Sequence, residues 1–251
     1  MNLVRSILFF LWLYGMMAVL TIVGLPTMLI SHRAVMWMMK LYSRAVRFGL
    51  RMIMGIKVEL RGLENIPDGP FIVAGKHQAM LDIFIPFLIF DDPIVVLKKE
   101  LLWYPGLGWY ALRSKMIAID RDGTSRTMKA LLKAAKERVP TGKGRQLVIF
   151  PEGTRAIPGA EPDYKPAGVR ALYKVLELPI VPVATNSGLC WHARGIRRTP
   201  GTAIYEVLPA IEPGQPPREV VTRLTDALEA ASTRLLDEAL EAKAARLSAQ
   251  G

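Results

Sequence analysis

"FIVAGKHQAMLDIFIPFLIF", residues 71–90, joins two apolar runs through a short polar link. The first run, 71–75, is apolar throughout and too short for a helix of ordinary length. It reads as a strand buried on both faces. His77 stands just past its end, and Asp82 heads the second apolar run. An imidazole at a strand exit suits general-base work, because its charge changes near neutral pH. A carboxylate one loop away can hold its tautomer and stabilise the imidazolium. A polar loop with a satisfied histidine is the plainer account. With three histidines and nine aspartates in 251 residues, H-x4-D alone is a weak signal.

Similar runs follow along the chain: "IKVEL" (56–60), "IVVL" (94–97), "MIAI" (116–119), "QLVIF" (146–150), "IVPV" (180–183) and "AIYEVL" (203–208). Helical periodicity fills the spaces between them. "TSRTMKALLKAAKERV" (124–139) opens on a Thr or Ser cap, and "AGVRALYKVLE" (167–177) and residues 218–247 carry the same 3.6-residue pattern. Alternating elements predict an α/β domain over 56–251, with a mixed, mostly parallel sheet flanked by helices. In such sheets functional groups gather beyond the carboxyl ends of the strands.

Residues 1–55 have another texture and read as a membrane-associated two-helix segment. The chain is 51% hydrophobic, and no charged residue occurs from Ser6 to Ser31. At about 1.5 Å per residue this stretch is long enough for a bilayer core of roughly 30 Å. It is too long for a signal-peptide core, and no small-x-small cleavage site follows. Pro26 kinks or ends the helix. Beyond it, Arg33, Lys40, Arg44, Arg47 and Arg51 fall on one helical face, as in a helix lying in the membrane interface. An ordinary amphipathic helix packed on the main domain is the alternative. Net charge is +11, and residues 1–61 hold eight basic groups against one acid. This asymmetry suits an anionic membrane surface and, with the basic residues after the span, a cytoplasmic main domain. The basic stripe lies beside an apolar span and lacks interleaved exposed aromatics, so nucleic acid is not an expected partner. Two geometries stay open: a true span, or a helical hairpin immersed in one leaflet. The single cysteine, Cys190, excludes an internal disulfide.

Other strand ends carry polar groups. "FPEGTR" (150–155) leaves its strand through a turn that Gly153 permits. There Glu152 can accept from a sugar or glycerol hydroxyl, and Arg155, after Thr154, can clamp a phosphate. "MIAIDR" ends on Asp120 and Arg121, "LKKEL" (97–101) offers Lys98, and "YKPAGVRAL" (164–172) puts Lys165 before a helix start, where an anion can bind. Each has a bland reading as a strand-end turn, a surface ion pair, a solvated lysine or a loop-to-helix join. No serine stands in G-x-S-x-G, no P-loop occurs, and Cys190 lies in an apolar stretch. No metal-ligand set is expected. Together these residues suit a base that activates the substrate's own hydroxyl, with a substrate phosphate meeting the arginines.

"KHQAMLD", "MIAIDR", "FPEGTR" and "LPIVPV" occur in the order and approximate spacing of the four blocks of the glycerolipid acyltransferases. Over roughly residues 55–210 the chain resembles the bacterial-type 1-acylglycerol-3-phosphate (lysophosphatidate) acyltransferases. The resemblance implies direct transfer of an acyl group from acyl-CoA or acyl carrier protein to the 2-hydroxyl of lysophosphatidate, giving phosphatidate. No cofactor is implied beyond that thioester co-substrate. It implies His77 as general base, Asp82 as its orienting group, and Glu152, Gly153, Thr154 and Arg155 in the acceptor-binding block. Arg121 and Lys165 would help bind the acceptor, and Lys98 would face the reacting carbonyl. Membrane lipids become partners, and the inner membrane of a bacterium the location. Lys115, Ala118 and Ala79 stand where the family often has glycine, an aromatic residue and serine. Rival readings are another lysolipid acceptor, a metal-dependent hydrolase and a non-enzymatic membrane scaffold of the same fold.

Overall fold

The computed structural model describes residues 2–120, 124–140 and 144–248. Helix α1 (Asn2–Gly24) is followed by a single turn, α2 (Thr27–Ile30), and by α3 (His32–Gly49). Then come strand β1 (Ile56–Arg61), strand β2 (Phe71–Gly75), the short α4 (Pro86–Ile89), strand β3 (Pro93–Lys98) and helix α5 (Leu107–Arg113). The remainder is β4 (Ile117–Ile119), α6 (Ser125–Arg138), β5 (Gln146–Ile149), α7 (Ala167–Leu176), β6 (Ile180–Thr185), β7 (Gly201–Val207) and α8 (Pro217–Ser248).

All seven strands join one sheet in the order β1-β7-β6-β2-β5-β3-β4. Every neighbouring pair is parallel except β6 and β7. The sheet is therefore mixed and mostly parallel, as the alternating sequence pattern predicts. β2, β5, β3 and β4 run the same way, so the chain leaves each of them at the same edge of the sheet.

Side-chain alternation divides the interior in two. On β2, Phe71 and Val73 enter a core shared with Phe9 and Leu13 of α1, Val46 of α3 and Phe87 of α4. Ile72 and Ala74 enter the opposite core, with Leu131 of α6, Leu172 of α7 and Leu224 of α8. A strand apolar at every position is what a two-sided burial requires. Thr124 caps α6 by accepting from the Thr127 N–H at 3.3 Å, the cap expected from sequence.

The N-terminal helices are fastened to the domain along their length. Trp12 Nε1 donates to the Ala45 carbonyl at 2.9 Å, and the Tyr42 hydroxyl to the Leu13 carbonyl at 3.0 Å. At the far end, Arg113 Nε of α5 donates to the Met28 carbonyl at 2.6 Å. Gly106, with φ +79°, brings the backbone so close that a Cβ there would stand 2.4 Å from Thr21 Oγ1. Helix α1 is long and apolar enough to cross a membrane by length and composition, and most of it faces outward. The basic stripe of α3 is exposed at Arg33, Arg44 and Arg47. Its opposite face packs inward through Val35, Met36 and Val46, so much of the apolar surface read as interfacial belongs to the core. α3 runs on as a π-helical turn, Leu50–Met54, and stops at Gly55 with φ +68°. The second apolar run, 83–90, is no strand; Pro86 opens α4 there.

Candidate active site

The residues that follow β2 turn sharply over the sheet edge. His77 Nδ1 lies 2.9 Å from Asp82 Oδ2. The same oxygen accepts the N–H groups of Gln78 at 2.6 Å and Ala79 at 2.7 Å. Five residues is the span that lets one carboxylate close this loop and still reach the ring. Asp82 Oδ1 accepts the Ser187 hydroxyl and the Tyr205 hydroxyl, both at 2.6 Å. Five donors thus converge on a carboxylate that is 3% exposed, which suits the ionised, acceptor-only form. Burial, with the charge of Asp82 adding to it, holds the Tyr205 hydroxyl well above its usual pKa, so it remains a donor.

With Nδ1 facing Asp82, the ring presents Nε2 to the opening, where no described residue bonds it. Phe150 stacks on the imidazole at 4.4 Å between centroids. Beneath Asp82, between the sheet and α4, an apolar crevice is lined by Val73, Ile85, Ile89, Phe90, Val148 and Phe150.

"FPEGTR" follows β5, the neighbour of β2, and is bound to the histidine loop at two points. The His77 N–H donates to Glu152 Oε2 at 2.6 Å, and the Ala156 N–H donates to the His77 carbonyl at 2.7 Å. Glu152 is 1% exposed. The carboxylate read from sequence as an acceptor for a substrate hydroxyl is turned inward, because one oxygen is taken by the His77 backbone. The other, Oε1, lies 3.2 Å from Lys76 Nζ as an ion pair, without the alignment of a hydrogen bond. Burial pushes the Glu152 carboxyl above the usual carboxylate range, and Lys76 offsets part of that rise. Lys76 also pairs with Glu229 of α8, and both meet the Tyr164 hydroxyl.

The other sequence-derived candidates are more dispersed. Gly153, at φ +68°, makes the turn, and Lys165 packs beside it; a Cβ on Gly153 would stand 3.7 Å from Lys165 Cδ. The Lys165 N–H donates to the Pro151 carbonyl at 2.7 Å. Thr154 and Arg155 are exposed on the rim. Lys98 ends β3, two strands from β2 and so about 10 Å across the ladder, and its ammonium pairs with Glu100 at 2.8 Å. Arg121 lies outside the described residues. Among the described residues, no group of three or more His, Cys, Asp or Glu gathers as metal ligands would.

Sequence reasoning missed Lys76, Ser187, Tyr205 and Glu229. Only Lys76 carried a signal: strand alternation puts it on the face opposite His77, where a buried lysine needs an acid. The other three reach the site from β6, β7 and α8, and that assembly depends on the strand order.

A histidine–carboxylate pair on this sheet edge, locked to a Glu-Gly-Thr-Arg turn, defines a class, and the chain matches the acyltransferase family model over residues 57–186. The protein belongs to that family. It is 39% identical over 171 residues to a 1-acyl-sn-glycerol-3-phosphate acyltransferase of Pseudomonas aeruginosa, covering 68% of this chain and 65% of that one. It is 32% identical over 164 residues to the putative 1-acyl-sn-glycerol-3-phosphate acyltransferase acl-1 of Caenorhabditis elegans, covering 63% and 61%. The matched part thus spans just under two thirds of each relative. The fold is shared with the 1-acyl-sn-glycerophosphate acyltransferase PlsC of Thermotoga maritima, with a TM-score of 0.78 at 20% identity over 94% of this chain and 98% of that one.

Proposed function

We propose that this protein transfers an acyl group from acyl-CoA or acyl carrier protein to the 2-hydroxyl of 1-acylglycerol-3-phosphate, giving phosphatidate. The observation that carries this reading is the His77–Asp82 pair. Asp82 is saturated by five donors and fixes the ring through Nδ1, which leaves Nε2 to act as the base. The names of the Pseudomonas and Caenorhabditis relatives favour lysophosphatidate as the acceptor.

The steps balance without an acyl-enzyme. His77 Nε2 takes the hydroxyl proton as the oxygen attacks the thioester carbon, a contribution of about 10²–10⁴-fold. The tetrahedral oxyanion is met by backbone N–H groups or by Lys98. Its collapse breaks the carbon–sulfur bond, and the imidazolium returns the proton to the departing thiolate. The apolar crevice beside Asp82 is the place for an acyl chain, and Arg155 and Lys165 are the described cations that would meet the acceptor's phosphate. The exposed apolar face of α1 seats the protein on the inner membrane of a bacterium, with the sheet domain on the cytoplasmic side.

The test is acyl transfer by the purified protein with labelled acyl-CoA, then acyl carrier protein thioester, and lysophosphatidate against a panel of lysolipids. Phosphatidate should form and be lost in His77→Ala, with fold and membrane binding retained. Near-native turnover in that variant would refute the base.

A further inference from the structure

Two hydroxyls in the site have no part in the steps above. Ser187, two residues past β6, and Tyr205 of β7 both donate to Asp82 Oδ1 at 2.6 Å. They lie 105 and 123 residues from Asp82 along the chain, at the sheet's one antiparallel pair. Ser187 is fully buried and Tyr205 is 2% exposed. The other oxygen, Oδ2, meets the ring and both N–H groups of the histidine loop. One carboxylate oxygen thus serves His77 and closes its turn, while the second is held from β7 and the exit of β6. Among the described residues, His77 is the only basic group paired with Asp82.

Both donors are fixed by their own surroundings. Thr185 lies opposite Tyr205 in the β6–β7 ladder. Its Oγ1 accepts the Ser187 N–H at 3.0 Å and donates to the Ile204 carbonyl at 2.8 Å. Asn186 Oδ1 accepts the Ile204 N–H at 2.8 Å, and its Nδ2 donates to the Leu235 carbonyl of α8 at 3.1 Å. A second cation on Asp82 would cancel the charge that the imidazolium needs. Neutral hydroxyls keep the carboxylate ionised and leave that charge to the ring. Each hydroxyl also stabilises the carboxylate in its own right, and so moderates its pull on the Nδ1 proton.

We propose that Ser187 and Tyr205 are positioning residues for the base: they hold Asp82 in the rotamer that faces Nδ1, and they set how strongly it grips the ring. The proposal rests on the reaction proposed above, in which His77 Nε2 takes the hydroxyl proton. The other charged groups at the histidine loop are Glu152, which accepts the His77 N–H, and Lys76, which pairs with Glu152. Arg155 stands one residue before the N–H that holds the His77 carbonyl. These contacts are to the backbone of His77 or to each other, whereas the two hydroxyls act on the ring's own partner.

Wild type, Tyr205→Phe and Ser187→Ala would be compared as full chains in detergent, with acyl-CoA and lysophosphatidate, across the pH range. Losing one donor leaves Asp82 a stronger partner for the imidazolium. The acid limb of kcat/KM should therefore move up by about half a pH unit or more in each variant. At the pH optimum kcat should fall about tenfold, with KM for both substrates within about threefold of wild type. The limb should move equally in a Glu152→Gln background, which removes the neighbouring carboxyl. A loss of kcat that is the same at every pH would make the hydroxyls structural supports only. A change confined to KM, an unmoved limb with unchanged kcat, or a shift that vanishes with Glu152→Gln would equally overturn the proposal. If one variant fails to fold, the other carries the test.

The proton on His77 Nδ1 gives a readout independent of turnover. Its low-field resonance should move further downfield in Tyr205→Phe and in Ser187→Ala, and a resonance unmoved in both would overturn the proposal. A wild type inactive on every lysolipid would sink the reaction, while a resonance that still moved would leave the hold on the ring standing.

Discussion

The backbone N–H of His77 and the carboxylate of Glu152, 75 residues apart in the chain, meet in a buried hydrogen bond of 2.6 Å. β2 and β5 are neighbours in the sheet, so their exits lie side by side and the two motifs close on each other. Glu152 therefore sets where the histidine loop stands.

Glu152→Gln and Glu152→Ala should separate this role from substrate binding. The glutamine keeps an oxygen for the His77 N–H. The alanine leaves that buried donor unpaired, at a cost of about 1–3 kcal/mol. Urea denaturation should show the alanine variant destabilised by that amount. Initial rates should show its loss in kcat, with KM for the acceptor little changed. A loss confined to KM would assign Glu152 to the acceptor instead.

Glu152 also makes stability depend on pH. Its carboxyl titrates above its ordinary value in the fold, so between the ordinary and the raised pKa the folded protein binds more protons than the unfolded chain. This group's contribution is complete below the ordinary carboxylate range and is lost as pH rises through the raised value. Glu152→Gln removes that titration. The stability of the variant relative to wild type should rise with pH from the acid range toward neutrality, as read by denaturation midpoints at each pH.

Asp82→Asn should preserve the fold and nearly abolish turnover. The Ser187 and Tyr205 hydroxyls can accept from an amide, and the remaining oxygen keeps the three N–H donors. The charge that stabilises the imidazolium is lost, for a fall in kcat of about 10³–10⁴-fold. A decrease under tenfold would mean that Asp82 only shapes the loop.

Lys76→Met should destabilise the protein by about 3–5 kcal/mol, because it strips a buried cation from two carboxylates. Adding Glu229→Gln should recover part of this loss. A double-mutant cycle in denaturant measures the coupling. Additive losses would show that Lys76 and Glu229 act independently.

The sheet was legible because each strand is a short, nearly unbroken apolar run, and all seven segments read that way became strands. The three long amphipathic helices were legible for the same reason, through their periodicity. α4 and α5 were not, since a four- to seven-residue helix shows too little of its period. The pairing of His77 with Asp82 and the turn at Gly153 were visible from motif chemistry at strand ends. The inward turn of Glu152 was not, because a carboxylate in a loop looks alike whether it faces water or a backbone N–H. Ser187 and Tyr205 were hidden as well. They reach Asp82 only because β6 joins β2 and β7 runs back antiparallel beside it.

Helix α1 is held near one end at Ser6 and Trp12, near the other where Gly106 packs on Thr21, and just beyond it by Arg113 at Met28. The apolar helix and the catalytic sheet therefore move as one body. On the membrane seating proposed above, such a footing would fix the height at which His77 rides above the lipid. Under the proposed reaction a lipid acceptor would then arrive by drifting sideways through the leaflet, and the encounter would become a search in two dimensions.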